Sequence, residues 1–232
     1  MDYKRTLNNM VMIKLDEENT SIKRNGINLF MDTSFNPEMH ATVTGTVWGI
    51  PSHLSYCGKP NKNMPWLTSM EIQLGDKCII YYLSTINALK NTEKRYVLEG
   101  KDRFIFIEYT YIYAVIRDEK IIPVNGYVLI QPCEDPAITQ ERERMEKLGM
   151  ELVVLETRTN THVIYGKVKY VGTPIREYVE EEHTDEGVDV SPGDTVVIRK
   201  VSDIPLQYSL HSKIDDGAKY YRVQRKNILA KV

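Results

Sequence analysis

The sequence has no long apolar run. Its longest, such as Phe104 to Ile107, cover only a few residues, against the roughly 20 that a membrane helix needs. Cysteine is scarce: Cys57, Cys78 and Cys133 are odd in number, far apart and without CxxC spacing. That argues against a disulfide framework or a zinc site and for a reducing, cytoplasmic compartment. Cys78, inside an apolar stretch, reads as a small buried hydrophobe. Net charge is nearly absent, with 30 basic against 32 acidic residues, and a nucleic-acid binder needs concentrated positive charge. Neither a P-loop nor a G-x-G-x-x-G occurs, so no nucleotide cradle is expected. His40, His53, His162, His183 and His211 are scattered without metal-ligand spacing and read as polar loop residues. The opening segment MDYKRTLNNM carries no apolar signal stretch.

What the sequence does have is a repeat. Hydrophobic residues make up 42% of 232, enough for a packed core in each half, and blocks recur in one order. Asn8–Lys14 resembles Asn125–Gln131, 117 residues on. The glycine of Gly45-Thr46-Val47-Trp48-Gly49 has its match in Gly166 of Gly166–Gly172, 121 residues on. Ile72–Ile80, with Gly75-Asp76, resembles Val190–Ile198, with Gly193-Asp194, at an offset of 118. Ile112–Ile116 resembles Ile228–Val232, at 116. Four blocks in register argue for duplication, and small drifts are what loop insertions between fixed strands produce.

Within each half the apolar segments are short, β-branched or aromatic, and bounded by turn residues. Val11–Leu15, Lys77–Leu83, Arg103–Glu108, Tyr127–Ile130, Gly166–Val171 and Thr195–Arg199 therefore read as strands. Many short strands with turns between them predict an all-β fold of two tandem small β-barrels. Thr139–Leu148 is charged and helix-permissive, with Arg142 four residues before Glu146 and Glu143 four before Lys147. It reads as a solvated helical turn or a disordered arm. Asp118-Glu119-Lys120 is taken as a short polar link, dividing the chain into residues 1–118 and 119–232.

These residues resemble a family. Ile121–Ile130, Tyr165–Gly172, Val190–Ile198 and Tyr220–Val223 with Asn227–Val232 are similar, along nearly the whole second half, to a GroES-type co-chaperonin subunit. The first half keeps Leu74-Gly75-Asp76 and Ile112–Val115. It departs at Trp48-Gly49 and carries an insertion-like stretch from Ser52 to Ser69. The tandem layout is similar to the double co-chaperonins of plastids or to divergent phage-encoded versions. The resemblance implies two GroES-like barrels, each with a long mobile loop. It also implies docking on the ATP-bound state of a GroEL-type chaperonin through a glycine followed by hydrophobic–any–Leu. Here those segments are Gly26-Ile27-Asn28-Leu29 and Gly149-Met150-Glu151-Leu152. Ile27, Asn28, Leu29, Met150, Glu151 and Leu152 are the expected chaperonin-binding residues.

Polar flanks, Asp16 to Asn25 and Asp135 to Lys147, fit flexible arms. An apolar side chain left in water on such an arm costs roughly 1.5–3 kcal/mol. Ordering the arm on binding offsets much of what docking recovers, so each contact is weak and releasable. A ring of contacts then gives tight but reversible capping. The other reading has Ile27, Leu29, Met150 and Leu152 packing into their own barrels. The resemblance further implies a ring-shaped homo-oligomer. The residues themselves show no catalytic constellation or cofactor motif, and charge and apolar-run length lead to no nucleic-acid or membrane partner being expected. The expected place is the cytoplasm: a host's if the chain is viral, or an organelle lumen if it is a mature form. A structural or assembly module that reuses the barrels without binding a chaperonin is the alternative function.

Overall fold

In the computed structural model the described residues are 5–16, 21–24, 27–30, 43–54, 69–89, 95–150, 163–173, 190–199 and 220–232. They are predominantly strand. The chain divides into two compact units, Met1–Asn125 with Thr173–Thr184, and Gly126–Gly172 with Asp185–Val232.

The first unit contains β1 (Arg5–Thr6), β2 (Met10–Leu15), β3 (Ser21–Arg24), β4 (Ile27–Phe30), β5 (Thr44–Pro51) and β6 (Lys77–Ile80). After helix α1 (Tyr82–Leu89) come β7 (Tyr96–Glu99), β8 (Asp102–Glu108), β9 (Ile112–Arg117) and β10 (Lys120–Pro123). The main sheet runs β10-β9-β6-β5-β2-β8-β7, with β1 parallel to β5. The second unit contains β11 (Tyr127–Cys133), helix α2 (Pro136–Lys147), β12 (Val163–Val171), β13 (Thr195–Arg199), β14 (Tyr221–Gln224) and β15 (Ile228–Lys231), in the order β14-β11-β12-β13-β15. No closed barrel is found among the described strands; both sheets end in edge strands.

The duplication reaches the level of hydrogen-bond register. Ile13 pairs with Val47 and Lys14 with Thr46; Ile130 pairs with Val168 and Gln131 with Lys167. A bulge falls between Met12 and Ile13 in one ladder and between Leu129 and Ile130 in the other, at equivalent places. On the far side, Cys78 pairs with Val115 and Val196 with Lys231, with bulges at Ile79/Ile80 and Val197/Ile198. A bulge re-aims every side chain beyond it, so shared bulges keep the same alternate residues on the core face. Val11, Ile13, Val47 and Cys78 are buried in the first unit; Val128, Ile130, Val168 and Val196 are buried in the second.

Two glycines explain why the sequence blocks had to recur. A Cβ on Gly45 would stand 2.5 Å from Ile13 Cγ2 and 2.6 Å from the Lys14 carbonyl oxygen, and one on Gly166 would stand 2.7 Å from Ile130 Cδ1. The Gly-Asp turns match as well. Val47 N–H donates to the Asp76 carbonyl and Gly75 N–H to the Val47 carbonyl, both at 2.8 Å; Val168, Asp194 and Gly193 repeat this at the same lengths. Gly75 and Gly193 sit at φ +89° and +98°, which an L side chain resists.

Three sequence expectations are corrected. Asp118 and Glu119 are not a link: both have positive φ, 49° and 60°, and turn the β9–β10 hairpin in which Ile121 pairs with Ile116 and Ile122 with Val115. The long segment of the first compact unit runs on to Asn125. The strand expected over Lys77–Leu83 stops at Ile80, and Tyr82–Leu89 is helical. The β6–β9 ladder ends with the Ile80–Ile112 pair, just past its bulge, and the helix buries Tyr82, Ser84, Thr85 and Ala88. The polar flanks are not simply flexible arms, since parts of both are regular structure.

Candidate docking segments

Both Gly–hydrophobic–any–Leu segments fall in the same connection of the repeat, between β2 and β5 and between β11 and β12. The local structure around them differs. Ile27, Asn28 and Leu29 lie in β4, paired antiparallel with β3, so that Arg24 faces Ile27, Lys23 faces Asn28 and Ile22 faces Leu29. Gly26 lies outside the described residues.

In the second unit a helix precedes the segment. Asp135 accepts from Ala137 N–H at 2.9 Å, and Pro136 occupies the first turn, where its missing N–H costs nothing. Arg142 reaches back in a bidentate pair to Glu134 at 2.6 and 2.8 Å rather than forward to Glu146. At the other end Gly149, φ +72°, closes a Schellman cap: its N–H donates to the Glu146 carbonyl and the Met150 N–H to the Met145 carbonyl, both at 2.9 Å. So the glycine of the motif is also the helix stop. The helix buries none of its residues, which matches the solvated reading of Thr139–Leu148. Leu148 and Met150 are 60% and 54% exposed. Leu148 was not among the expected residues; its place just before the glycine was the available signal. Glu151 and Leu152 lie outside the described residues.

The bases of the two connections also differ. Asp16 accepts from the Thr44 hydroxyl at 2.5 Å and from Lys77 at 3.2 Å. The equivalent positions in the second unit hold Cys133, Tyr165 and Thr195, which cannot form that charged clamp. Electrostatics elsewhere is structural. Asp76 takes a bidentate pair from Arg117 at 2.6 and 2.9 Å and an N–H from Gln73 at 2.8 Å. The hydrogen bond to Asp76 holds the Arg117 guanidinium charged beyond its ordinary range. Asp194 accepts from Ser191 N–H at 2.7 Å and pairs with Lys231 at 2.9 Å; the backbone bond, helped by Lys231, holds its carboxyl below the ordinary value. Burial keeps the Cys78 thiol protonated, while its Sγ–H donates to the Gly45 carbonyl.

Among the described residues no group of three or more His, Cys, Asp or Glu is placed to hold a metal ion. No helix among them is long and apolar enough to cross a membrane. No protein-family model matches the chain, and no curated protein sequence matches it.

Proposed function

We propose that this chain is a tandem co-chaperonin that caps a GroEL-type chaperonin in its ATP-bound state and assists folding, its two modules being GroES-like barrels. One observation carries the reading. The two halves share register, bulges and Gly-Asp turns, and a Gly–hydrophobic–any–Leu segment occurs in the same connection of each. In the second half its described hydrophobic residue, Met150, stands 54% exposed on a capped turn, where it does not serve its own core. An exposed apolar group such as Met150, held on a capped turn, loses less entropy on docking than one on a free arm would. The hairpin β3–β4 presents the first segment as a strand, which suits pairing with an extended groove.

The test is capture of a GroEL-type chaperonin with and without ATP by the wild type and by a Leu29→Asp, Leu152→Asp double variant. ATP-dependent capture that the variant loses is the expected result. No capture by the folded chain under any nucleotide favours the structural or assembly module instead.

A further inference from the structure

The chain contains the pair Asn-Gly twice, at Asn25-Gly26 and Asn125-Gly126. In water this pair modifies itself. The backbone nitrogen of the glycine, unshielded by any side chain, attacks the asparagine Cγ and expels Nδ2 as ammonia. The cyclic imide left behind takes up water at either carbonyl and opens to aspartate or isoaspartate. No enzyme, cofactor or redox partner enters: one water is consumed and one ammonia released.

Asn125 is held against that reaction. Its Nδ2 donates to the carbonyls of Tyr109 and Ile112 at 2.8 and 2.9 Å, and its N–H donates to the Glu71 carboxylate at 2.8 Å. The residue is 0% exposed. To close the ring the Gly126 nitrogen must reach Cγ and Nδ2 must leave, which breaks both side-chain bonds. The equivalent pair in the repeat, 117 residues earlier, is Asn8-Asn9. Its backbone is left-handed too, φ 54° and 59° against 57° and 70°, but Asn8 is exposed and no glycine follows it. The turn therefore does not require the reactive pair.

We propose that Asn125-Gly126 is a one-way modification site, closed while the first unit is folded and open whenever it unfolds. The product cannot rebuild the original bonds. Aspartate has no Nδ2 hydrogens, so its carboxylate would meet the Tyr109 and Ile112 carbonyl oxygens at a 0%-exposed position, near the Glu71 carboxylate that accepts the Asn125 N–H. A buried charge without a partner is costly. Isoaspartate adds a methylene to the main chain and displaces the turn. Either way β10 loses the anchor that follows it, and each opening leaves a permanent mark on a fraction of the molecules. The inference rests on the fold alone and stands whether or not the capping proposal does.

Peptide mapping by mass spectrometry of the full chain, kept in mildly alkaline buffer with and without urea, tests it. In urea both Asn-Gly pairs should convert to aspartate and isoaspartate, and Asn25-Gly26 sets the rate of an unfolded pair. Without urea Asn125 reacts only from the opened state, so its conversion should slow by the opening equilibrium, about 100-fold or more. Arg117→Ala, which removes the cation held by Asp76, should raise the rate in native buffer and leave the rate in urea unchanged. Gly126→Asn, which copies the Asn8-Asn9 pair, should fold and lose most of the conversion in urea. Asn125→Asp should lower the urea midpoint read by Trp48 emission, whereas Asn8→Asp, at the exposed equivalent, should leave it in place. Equal Asn125 rates with and without urea would overturn the inference. So would an Asn125 that stays intact in urea while Asn25 converts, or an Asn125→Asp chain with an unchanged midpoint.

Discussion

The two units share one ladder of strands but not one degree of support. In the first, β9 has β10 on its outer edge, and Val124 and Ala88 join a core with Val11, Ile13, Val47, Cys78 and Ile105. In the second, the described core is Val128, Ile130, Val168, Val190, Val196, Ile198 and Val223, half as many residues, and the closing strand is largely exposed. Identical backbone register therefore does not mean equal stability. Among the described residues the hydrogen-bonded geometry is shared, while apolar burial, at about 25 cal/mol per Å², is greater in the first unit. The polar anchors moved the same way: Asp76 is 5% exposed and takes two bonds from Arg117, whereas Asp194 is 28% exposed and takes one from Lys231.

The largest difference should come from the paired glycines. An alanine at Gly45 drives its Cβ against the Lys14 backbone carbonyl at 2.6 Å, which cannot move without breaking the β2–β5 ladder. At Gly166 the tightest contact is Ile130 Cδ1, the far end of a flexible side chain, with the backbone at 3.2 Å. Gly45→Ala should cost about 3 kcal/mol and Gly166→Ala about 1. Both tryptophans, Trp48 and Trp66, fall in the first half, and Trp48 packs against Phe104 at 5.4 Å. In urea unfolding, tryptophan emission reads the first unit and circular dichroism reads both. Gly45→Ala should shift the emission midpoint and Gly166→Ala should leave it in place. A common shift in both probes would mean that the units unfold as one.

Next in size is the anchor of the Gly-Asp turn. Arg117→Ala strands the Asp76 carboxylate in a nearly dry site and removes a bond to the Glu71 carbonyl. Breaking a buried pair from one side costs about 3–5 kcal/mol, and the partly open guanidinium puts this one near the lower end. Lys231→Ala, which removes the cation paired with the more exposed Asp194, should move the urea midpoint far less. Comparable shifts would show that burial does not separate the two anchors.

The cysteines give a finer reading of the same contrast. In a Cys57→Ser background, Cys133, which is exposed, should react with a thiol reagent in the folded chain. It should do so more slowly than a free thiol, since partial burial pushes its pKa up. Cys78 should react only when the first unit opens. Arg117→Ala, at about 3 kcal/mol, should then speed Cys78 labelling about 100-fold and leave Cys133 unchanged.

Much of this comparison was legible in the sequence because the repeat is written in residues that allow no substitute. Glycines at 45 and 166 mark close approach, those at 75 and 193 mark positive φ, and the offsets of 117, 121, 118 and 116 residues survive as strand registers. What sequence reasoning missed depended on tertiary choice. Tyr82–Leu89 has strand-like composition but follows a ladder that ends at Ile80, so it is free to coil and bury Ala88. Asp118-Glu119-Lys120 has the polarity of a linker, and only the pairing of Ile121 and Ile122 with β9 shows a turn. At the docking segments the motif alone places Gly149 in a loop. That it also caps a helix follows from Asp135, Pro136 and the Glu134–Arg142 pair, none of which lies inside the motif.

The smallest expected effect is one of pH, at Asp194. Its carboxylate is favoured in the folded chain by the Ser191 N–H and by Lys231, so its folded pKa lies below the unfolded reference of 3.8. A depressed acid contributes stability that is fully present above the unfolded value and is lost as pH falls through the folded one. Asparagine at this position cannot carry the charge at any pH. The gap between wild type and Asp194→Asn in urea midpoint should therefore be constant from pH 7 down to about 5, then close as pH drops below about 3.8. Midpoints should be read by circular dichroism, because tryptophan emission follows the other unit. A gap that stays constant through pH 3 would mean that the Ser191 N–H bond holds the turn without help from the charge. The second anchor would then differ from the first in kind as well as in burial.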